Sequence, residues 1–310
     1  MPVPGLVFAG SSEFAVPTLE ALARPPWTLA AVLTQPDRPA GRRRRRTPTP
    51  VRERAEALGL TVLTPASLKA PEALEALVGL SPGALVVVDY GLILPSAILS
   101  LPAAGCINGH ASLLPRWRGA APIQHAVLAG DAETGVSVMR MEAGLDTGPV
   151  YRMQSTPIGK LETAGELRTR LAGMCAALLV DTLPGILAGE LRPTPQDATA
   201  ATWAGKLAPE KGRLDWAGPA GDLARRVLAF SPRPGAWTGW RGGRLRLLRA
   251  TALPERAGEP GRVWRAGSEG IDVAAGEGSV RVLELQAAGG RVLDAGTFLR
   301  GRPLLDERFG

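Results

Sequence analysis

The sequence predicts an α/β fold: a largely parallel sheet with helices on both faces, followed by a smaller domain of short strands. In the first part of the chain, short apolar runs alternate with helix-like stretches, which is the pattern of strands joined by crossover helices. One of these runs, residues 84–88, is apolar throughout, as expected for a strand buried on both faces. Beyond residue 207 the apolar runs shorten and are separated by Gly and Pro, which is typical of a small barrel or sandwich.

The elements of the first part follow from this pattern in order. A strand at residues 6–9 ends at Gly10, and Ser11 and Ser12 can cap a helix that runs to about Ala23. A polar loop, residues 35–50, contains four prolines and five consecutive arginines. The other predicted strands are 29–34, 61–63, 84–88, 105–108 and 136–141, and the other predicted helices are 51–58, 71–79 and 163–189.

The second part of the chain is separated by a segment of different composition. Residues 191–206 are rich in Pro, Thr, Ala and Gln, which favours a linker. We therefore expect two domains, residues 1–190 and 207–310, as the length of 310 residues also suggests. The elements predicted in the second domain are a helix at 223–230 and strands at 244–250, 261–264, 270–274 and 279–285.

Cysteine usage indicates a reducing compartment. The two cysteines, Cys106 and Cys175, have no CxxC partner, so the sequence predicts neither a zinc site nor a disulfide framework. His, Cys and carboxylate residues do not cluster at the spacing of metal ligands, and we expect no metal. We see no signal peptide and no apolar run long enough to span a membrane, so a soluble, cytoplasmic protein is expected.

The charge balance indicates a polyanionic partner. The net charge is +7, and residues 207–310 hold 17 Arg and Lys against 12 Asp and Glu. A positive excess of this kind attracts polyanions, of which nucleic acid is the commonest candidate. A generally Arg-rich composition accounts for the overall charge equally well, but it accounts less well for the five successive arginines at 42–46.

Polar segments after the predicted strands indicate where a ligand binds, because ligands of such sheets lie at the carboxyl ends of the strands. Only one glycine, Gly10, follows the first strand, so the dinucleotide fingerprint and the P-loop are absent and a dehydrogenase is disfavoured. Asn108 and His110 alternate with Gly109 at the end of a strand, so their side chains point the same way. An amide beside an imidazole can donate hydrogen bonds to a carbonyl oxygen that becomes anionic.

A carboxylate further along the chain completes this candidate site. Asp146 lies in a turn flanked by glycines and can stabilise a charged His110 if the fold brings the two together. The residues alone leave other roles open: a capping Asn108, a surface His110 and an ordinary turn residue at 146. His125, on a predicted helix, is assigned no role.

Taken together, these segments resemble the folate-dependent formyltransferases, most closely those that act on methionyl-tRNA. The Asn-x-His segment with Ser-Leu-Leu-Pro and the later Leu-Asp-Thr-Gly are highly specific for formyl transfer. The Gln-Pro-Asp-Arg-Pro loop and the basic second domain narrow the likeness toward a tRNA substrate. The matching segments, which extend through both domains, are residues 8–17, 34–41, 90–95, 108–123, 130–135, 144–148, 211–216 and 231–235.

The resemblance implies a Rossmann-like formyltransferase domain followed by an OB-like β-barrel that helps to bind tRNA. It implies 10-formyltetrahydrofolate as co-substrate, initiator methionyl-tRNA as partner, no metal, and a monomer that serves translation initiation. It also implies that Asn108, His110 and Asp146 are catalytic.

The same resemblance assigns two further sets of residues. Backbone groups near Leu92 and Leu94 are expected to meet the pteridine of folate. The folate-binding residues implied are Tyr90, Leu92, Ile93, Leu94, Pro95, Ser112, Leu113, Leu114 and Pro115. The tRNA-binding residues implied are Arg38, Arg42, Arg43, Arg44, Arg45 and Arg46.

The chain departs from the family pattern at a few positions near the site. Gly109 stands where a β-branched residue is usual, and Ala111 where glycine is usual. Ser11-Ser12 replaces the commoner Thr-Pro, and Asp89 replaces the usual alanine, which adds a carboxylate near the folate pocket.

Two other functions remain open. A formyltransferase acting on a sugar-nucleotide or another small amine would keep the three catalytic residues without needing the basic loop. A non-catalytic RNA-binding protein with an OB module would need the basic residues alone.

Overall fold

A computed structural model describes residues 5–40 and 45–310. Of the predicted tRNA-binding residues, Arg42, Arg43 and Arg44 therefore lie outside the described part of the chain. The chain divides into two compact units. The first contains residues 1–119, 135–156 and 169–203, and the second contains residues 120–134, 157–168 and 204–310.

All six strands predicted in the first part of the chain are present, five of them beginning within one residue of the predicted position and the sixth three residues earlier, and four further strands were not predicted. In chain order they are β1 Leu6–Gly10, β2 Leu29–Leu33, β3 Arg38–Ala40, β4 Arg45–Thr47, β5 Val62–Leu63, β6 Ala84–Val88, β7 Cys106–His110, β8 Arg118–Gly119, β9 Glu133–Arg140 and β10 Val150–Pro157. A short hairpin of β3 and β4 thus lies within the predicted polar loop.

Helices connect these strands. They are α1 Val16–Leu22, α2 Pro50–Ala57, α3 Pro71–Leu80, α4 Ser96–Leu99, α5 Pro122–Ala129 and α6 Ala164–Leu187, and the 3-10 turn Glu13–Ala15 precedes α1. The Ser12 hydroxyl accepts a hydrogen bond from the Phe14 N–H, so the predicted cap at this position is present. Thr49 caps α2 in the same way, accepting from the Arg52 N–H at 3.0 Å.

The main sheet has the strand order β10-β9-β7-β6-β1-β2-β5. The five strands from β7 to β5 run parallel, which confirms the predicted α/β class. The strand predicted at 136–141 exists as β9, but it pairs antiparallel with β7, so the sheet is mixed at this edge. The neighbouring strand β10 was missed because most of its residues are polar and exposed, as an edge strand allows.

The core of the first unit lies against the parallel strands. Every residue of β6 is buried, and its Val-rich sequence is typical of a strand covered on both faces. One buried cluster includes Val7, Leu33, Leu77, Leu85 and Cys106. Burial raises the pKa of the Cys106 thiol to about 12, so the thiol stays protonated near neutral pH and packs as a small apolar group.

Helix α6 is the one helix among the described residues that is long and apolar enough, by length and composition, to cross a membrane. Half of its apolar window is buried inside the protein. Its buried positions include Leu167, Leu171, Leu179 and Leu183, whose spacing gives the helix one core-facing stripe. A stripe of this kind also characterises the core helix of a globular protein.

Gly109 lies where two side chains of α6 fill the space that a larger residue would need. A Cβ at this position would stand 2.4 Å from the Cys175 Sγ and 3.0 Å from the Leu179 Cδ1. Glycine therefore replaces the usual β-branched residue at a position where Cys175 and Leu179 occupy the space of a larger side chain.

This packing predicts the effect of restoring a β-branched residue. Gly109→Val should lower the free energy of unfolding by about 1–3 kcal/mol, because the new methyl groups overpack the contact with Cys175. In a Cys175→Ala background, which removes the sulfur, the same substitution should cost clearly less. Urea denaturation of the four proteins measures this coupling, and an equal cost in both backgrounds would contradict the contact.

The second unit is built on an antiparallel sheet, which confirms the predicted change of class after the linker. The elements that follow α6 are β11 Trp203–Ala204, β12 Ala236–Trp240, β13 Gly243–Leu253, β14 Val263–Gly267, β15 Gly270–Ala274, β16 Ser279–Ala287 and β17 Leu293–Asp294, with helices α7 Ala220–Phe230 and α8 Ala295–Leu299; β11 lies outside the antiparallel sheet. The strand order is β12-β13-β16-β15-β14, and β17 pairs with β16.

Helix α7 supplies much of the apolar cover of this sheet. Its buried residues include Leu223, Val227 and Phe230, and the helix packs on β13. Helix α5, from the first half of the chain, also packs on α7 within this unit, where the Arg225 Nε donates to the Leu128 carbonyl at 3.2 Å. The second unit therefore includes a segment that precedes the predicted linker, and the boundaries at residues 190 and 207 stay a prediction.

Candidate active site

Asn108 and His110 occupy the last part of β7, in the middle of the sheet. Asn108 lies opposite Val87 of β6 and Met139 of β9. Because Gly109 faces α6, the side chains on either side of it point to the opposite face of the sheet. Asn108 is 9% exposed and His110 is 7% exposed, so both lie in a largely desolvated position.

The structure brings Asp146 to the His110 ring. The His110 Nδ1 and the Asp146 Oδ2 are 3.8 Å apart, close enough for an ion pair when the ring is protonated but too far for a hydrogen bond. The same Asp146 oxygen accepts a hydrogen bond from the Gly119 backbone N–H at 2.8 Å. This contact fixes the carboxylate beside the ring.

The other ring nitrogen of His110 is also fixed. Its Nε2 lies 3.0 Å from the Trp117 carbonyl oxygen. A carbonyl oxygen only accepts, so Nε2 carries a hydrogen and donates it, which determines the tautomer of the neutral ring. The ring is thus held between a backbone carbonyl on one side and a carboxylate on the other.

Asn108 differs from its neighbours because its amide is uncommitted. Within residues 5–40 and 45–310, the Asn108 side chain makes no hydrogen bond to the protein. A nearly buried amide with a free N–H donor can bind an oxygen that gains negative charge, at little cost in reorganisation.

Loop 141–149, which carries Asp146, has to fold back to reach His110. Because β9 runs antiparallel to β7, this loop starts beside Cys106, where the Met141 N–H donates to the Cys106 carbonyl at 2.8 Å. His110 lies at the other end of β7, about 13 Å away along the strand. Asp146 itself has a left-handed backbone conformation with φ of 52°.

The first predicted folate loop, residues 90–95, is anchored by its first carbonyl. The Tyr90 carbonyl accepts from the Ser11 hydroxyl at 2.8 Å and from the Gln35 Nε2 at 2.7 Å. The backbone groups of Leu92 and Leu94 make no hydrogen bond to any residue that the structure describes, so they are available to a ligand.

The side chains of this loop differ in exposure. Ile93 is 79% exposed, whereas Tyr90 and Leu94 belong to the buried cluster of the first unit. The Tyr90 hydroxyl is buried and has no hydrogen-bond partner among the residues that the structure describes, and this desolvation raises the pKa of Tyr90. Pro95 is half-buried and precedes α4.

The second predicted folate loop, residues 112–115, is held by a serine of β9. The Ser137 hydroxyl donates to the Ser112 carbonyl at 2.7 Å and accepts from the Leu114 N–H at 3.0 Å. Ser112 and Leu114 are buried, and Leu113 and Pro115 are half-buried. Ser137 was not predicted as a site residue, and no motif marks it.

Two departures from the family pattern contact each other. The Ser12 hydroxyl donates to the Asp89 Oδ2 at 2.5 Å, so the added carboxylate has the added hydroxyl as partner. The Ser11 N–H also donates to the Asp89 carbonyl at 3.2 Å. Asp89 has a φ of 44° at the end of β6, in the left-handed region that Asp enters more readily than most residues.

The described arginines of the basic loop stand on the β3–β4 hairpin. Arg38 and Arg46 are both exposed, and Arg45 begins β4. The base of the loop is tied to α2 by an ion pair of 2.9 Å between Asp37 and Arg52.

No group of three or more His, Cys, Asp or Glu side chains in the described part of the chain is placed to hold a metal ion.

Comparison with known proteins decides the family. A family model described as formyl transferase matches residues 5–183, and one described as formyl transferase, C-terminal domain, matches residues 206–303. The chain belongs to the formyl transferase family. Both family models together cover most of its length, including the two segments that supply Asn108, His110 and Asp146.

Relatives of this formyl transferase are similar over nearly the whole chain. A methionyl-tRNA formyltransferase from Methylococcus capsulatus is 49% identical over 98% of this chain and 99% of its own length. One from Xanthomonas campestris pv. campestris is 52% identical over 96% of this chain and 97% of its own length. One from Xylella fastidiosa is 51% identical over 98% of this chain and 99% of its own length.

Solved structures share the fold at much lower identity. A sugar 3N-formyl transferase gives a TM-score of 0.68 at 13% identity, covering 93% of this chain and 99% of that one. A structure of HypX from Aquifex aeolicus in complex with tetrahydrofolic acid gives 0.64 at 17% identity, covering 98% of this chain and 49% of that one. These similarities support the fold of the formyl transferase and do not identify its substrate.

The contact between Asp146 and His110 predicts the effect of removing one charge. Asp146→Asn can still accept the Gly119 N–H, but it places no negative charge beside the ring. We expect turnover to fall on the order of 10²–10⁴-fold with the melting temperature nearly unchanged.

The matched control is Asp181→Asn, which removes an exposed carboxylate paired with Arg152 on the surface. Its turnover should equal that of the parent. Circular dichroism and rapid-quench formyl transfer provide the two readouts, and an unimpaired Asp146→Asn protein would remove Asp146 from the mechanism.

Proposed function

We propose that this protein transfers the formyl group of 10-formyltetrahydrofolate to the amino group of methionyl-initiator tRNA, in the cytoplasm, for translation initiation. The observation that carries the proposal is the convergence of Asn108, His110 and Asp146 at the carboxyl end of β7. The near full-length similarity to methionyl-tRNA formyltransferases supports the choice of substrate.

Each of the three side chains has a role that its geometry supports. The free Asn108 amide donates to the formyl oxygen, where negative charge develops as the amine attacks. Loss of one such donor typically costs about 2.7–4 kcal/mol of transition-state stabilisation. His110 would take up a proton at Nδ1, because its Nε2–H is donated to the Trp117 carbonyl, and Asp146 stabilises the ring once Nδ1 is protonated.

The reaction balances with these groups. The neutral amine nitrogen forms a bond to the formyl carbon, and the bond from that carbon to N10 of the folate breaks. One proton leaves the attacking nitrogen, and N10 gains one as it departs. Nδ1 of His110, the ring nitrogen without a hydrogen in the neutral form, would carry this proton, and no oxidant or reductant is needed.

The loops around the site fit a folate co-substrate, which supplies an activated one-carbon unit. The open backbone groups of Leu92 and Leu94 would hydrogen-bond the pteridine, in the manner the sequence predicts. The remaining predicted contacts surround them in the two loops: Tyr90, Ile93, Pro95, Ser112, Leu113, Leu114 and Pro115.

Basic residues support tRNA as the second substrate. Arg38 and Arg46 on the hairpin, with Arg42 to Arg45, would neutralise phosphates near the acceptor end. In the second unit, the Arg244 guanidinium lies 4.2 Å from the centre of the Trp237 ring, and that of Arg241 lies 4.9 Å from the Trp240 ring. Exposed arginines next to indole rings suit an RNA backbone and its unpaired bases.

We propose a domain assignment that corresponds to these roles. Residues 1–190 would form the catalytic domain, residues 191–206 a linker and residues 207–310 an OB-like domain that binds tRNA. A monomer is proposed, as the family resemblance implies.

The direct test is transfer of labelled formyl from 10-formyltetrahydrofolate to methionyl-initiator tRNA. We expect the rate with this substrate to exceed that with a sugar-nucleotide amine by several orders of magnitude. The rate at low substrate should also fall steeply as salt rises, because phosphate contacts release counterions.

The alternatives give different results in the same assay. Faster transfer to the sugar-nucleotide, with a flat salt response, would support a small-amine formyltransferase and contradict the tRNA substrate. RNA binding without folate binding or transfer would identify a non-catalytic RNA-binding protein.

A further inference from the structure

A segment of the predicted linker, residues 194–202, contacts both loops of the catalytic site; we refer to it as the strap. At one end, Thr194 and Val150 exchange two backbone hydrogen bonds of 2.8 Å. At the other end, the Thr202 carbonyl accepts from the Arg118 N–H at 2.9 Å. The Thr202 hydroxyl accepts from the Trp117 N–H at 2.9 Å. The strap therefore holds the residue whose carbonyl orients His110.

Gln196, in the middle of the strap, holds the turn that carries Asp146. Its Nε2 donates to the Asp146 carbonyl at 2.9 Å and to the Gly148 carbonyl at 2.7 Å. Its Oε1 accepts from the Arg118 Nε at 3.1 Å and from the Nη2 at 2.8 Å. All the hydrogen-bonding capacity of the amide is used, and only one orientation fits, because carbonyls only accept and arginine only donates.

The Asp146 turn needs such an anchor. Asp146 has a left-handed backbone, which costs most non-glycine residues about 1–2 kcal/mol and costs Asp less. Loop 141–149 also starts at the far end of β7 and has to return to His110. Two hydrogen bonds from Gln196, to the backbone carbonyls of Asp146 and Gly148, would keep the Asp146 carboxylate at the ring.

Arg118 makes the anchor rigid. Its side chain is only 5% exposed, so the guanidinium is confined by the protein around it. Arg118 also directly precedes Gly119, whose N–H binds the Asp146 carboxylate. Through Gln196, one buried cation thus links the loop after His110 to the loop that carries Asp146.

We propose that Gln196 is a positioning residue for formyl transfer, which sets the Asp146 carboxylate against His110 without touching either substrate. The inference rests on the proposed function, since it assigns a role in the same reaction. A misplacement of about 1 Å at a reacting centre can cost about 10²-fold in rate, so loss of this anchor should be seen in turnover.

Two variants separate the contacts. Gln196→Leu removes all four hydrogen bonds, and Gln196→Glu keeps the acceptor side toward Arg118 but loses both donors to the Asp146 turn. We expect kcat to fall about 10²-fold in both, with KM for 10-formyltetrahydrofolate changed less than about threefold. The control, Glu190→Gln, changes an exposed residue just before the strap and should match the parent.

A double-mutant cycle with Asp146→Asn distinguishes positioning from general stabilisation. If Gln196 acts through the Asp146 charge, Gln196→Leu should have little further effect on kcat once that charge is absent. Independent effects that multiply would overturn the proposal, as would a kcat within twofold of the parent for Gln196→Leu.

The remaining outcomes are also decisive. Loss of folding in both Gln196 variants would show that the residue stabilises the fold, and would likewise overturn a positioning role. A parent protein that does not formylate methionyl-tRNA contradicts the proposed function instead, and the cycle is then run with whichever amine the parent formylates.

Discussion

The Asp146 carboxylate accepts a hydrogen bond from the Gly119 N–H and lies 3.8 Å from the His110 ring, and the chemistry depends on this placement. Without it, His110 would face only the Trp117 carbonyl, and Asn108 would be an isolated amide at the end of a strand. With it, a hydrogen-bond donor and a proton carrier backed by a negative charge stand at one position. That combination suits acyl transfer to an amine.

The fold provides this placement through an irregularity at the edge of the sheet. Parallel strands bring Asn108 and His110 to the carboxyl edge, where such sheets bind ligands. Because β9 runs antiparallel to β7, the loop that carries Asp146 starts beside Cys106, at the end of β7 away from His110. Backbone hydrogen bonds from other segments hold the loop where it returns to His110. The left-handed backbone of Asp146 and its hydrogen bond to Gln196 in the strap both arise because this loop has to return to His110.

Much of the sheet could be predicted because its strands are short apolar runs. The run at residues 84–88, for example, is apolar throughout and forms a strand that is buried throughout. Asn108, His110 and Asp146 could be named from their motifs, although their meeting depends on contacts far apart in sequence. Strand β10 could not be predicted, since an exposed edge strand has no apolar pattern. The role of Gln196 could not be predicted, because a glutamine in a polar segment carries no signal until its four hydrogen bonds, to Arg118, Asp146 and Gly148, are known.

In the proposed reaction, the side chains of Asn108, His110 and Asp146 converge on one formyl group. A crystal structure with a stable formyl-folate analogue tests it most directly. We expect the formyl oxygen to lie within about 3 Å of the Asn108 amide nitrogen, the formyl carbon next to His110, and the pteridine against the backbone of residues 92–94. A well-ordered analogue whose formyl group lies away from Asn108 and His110 would contradict the proposed reaction.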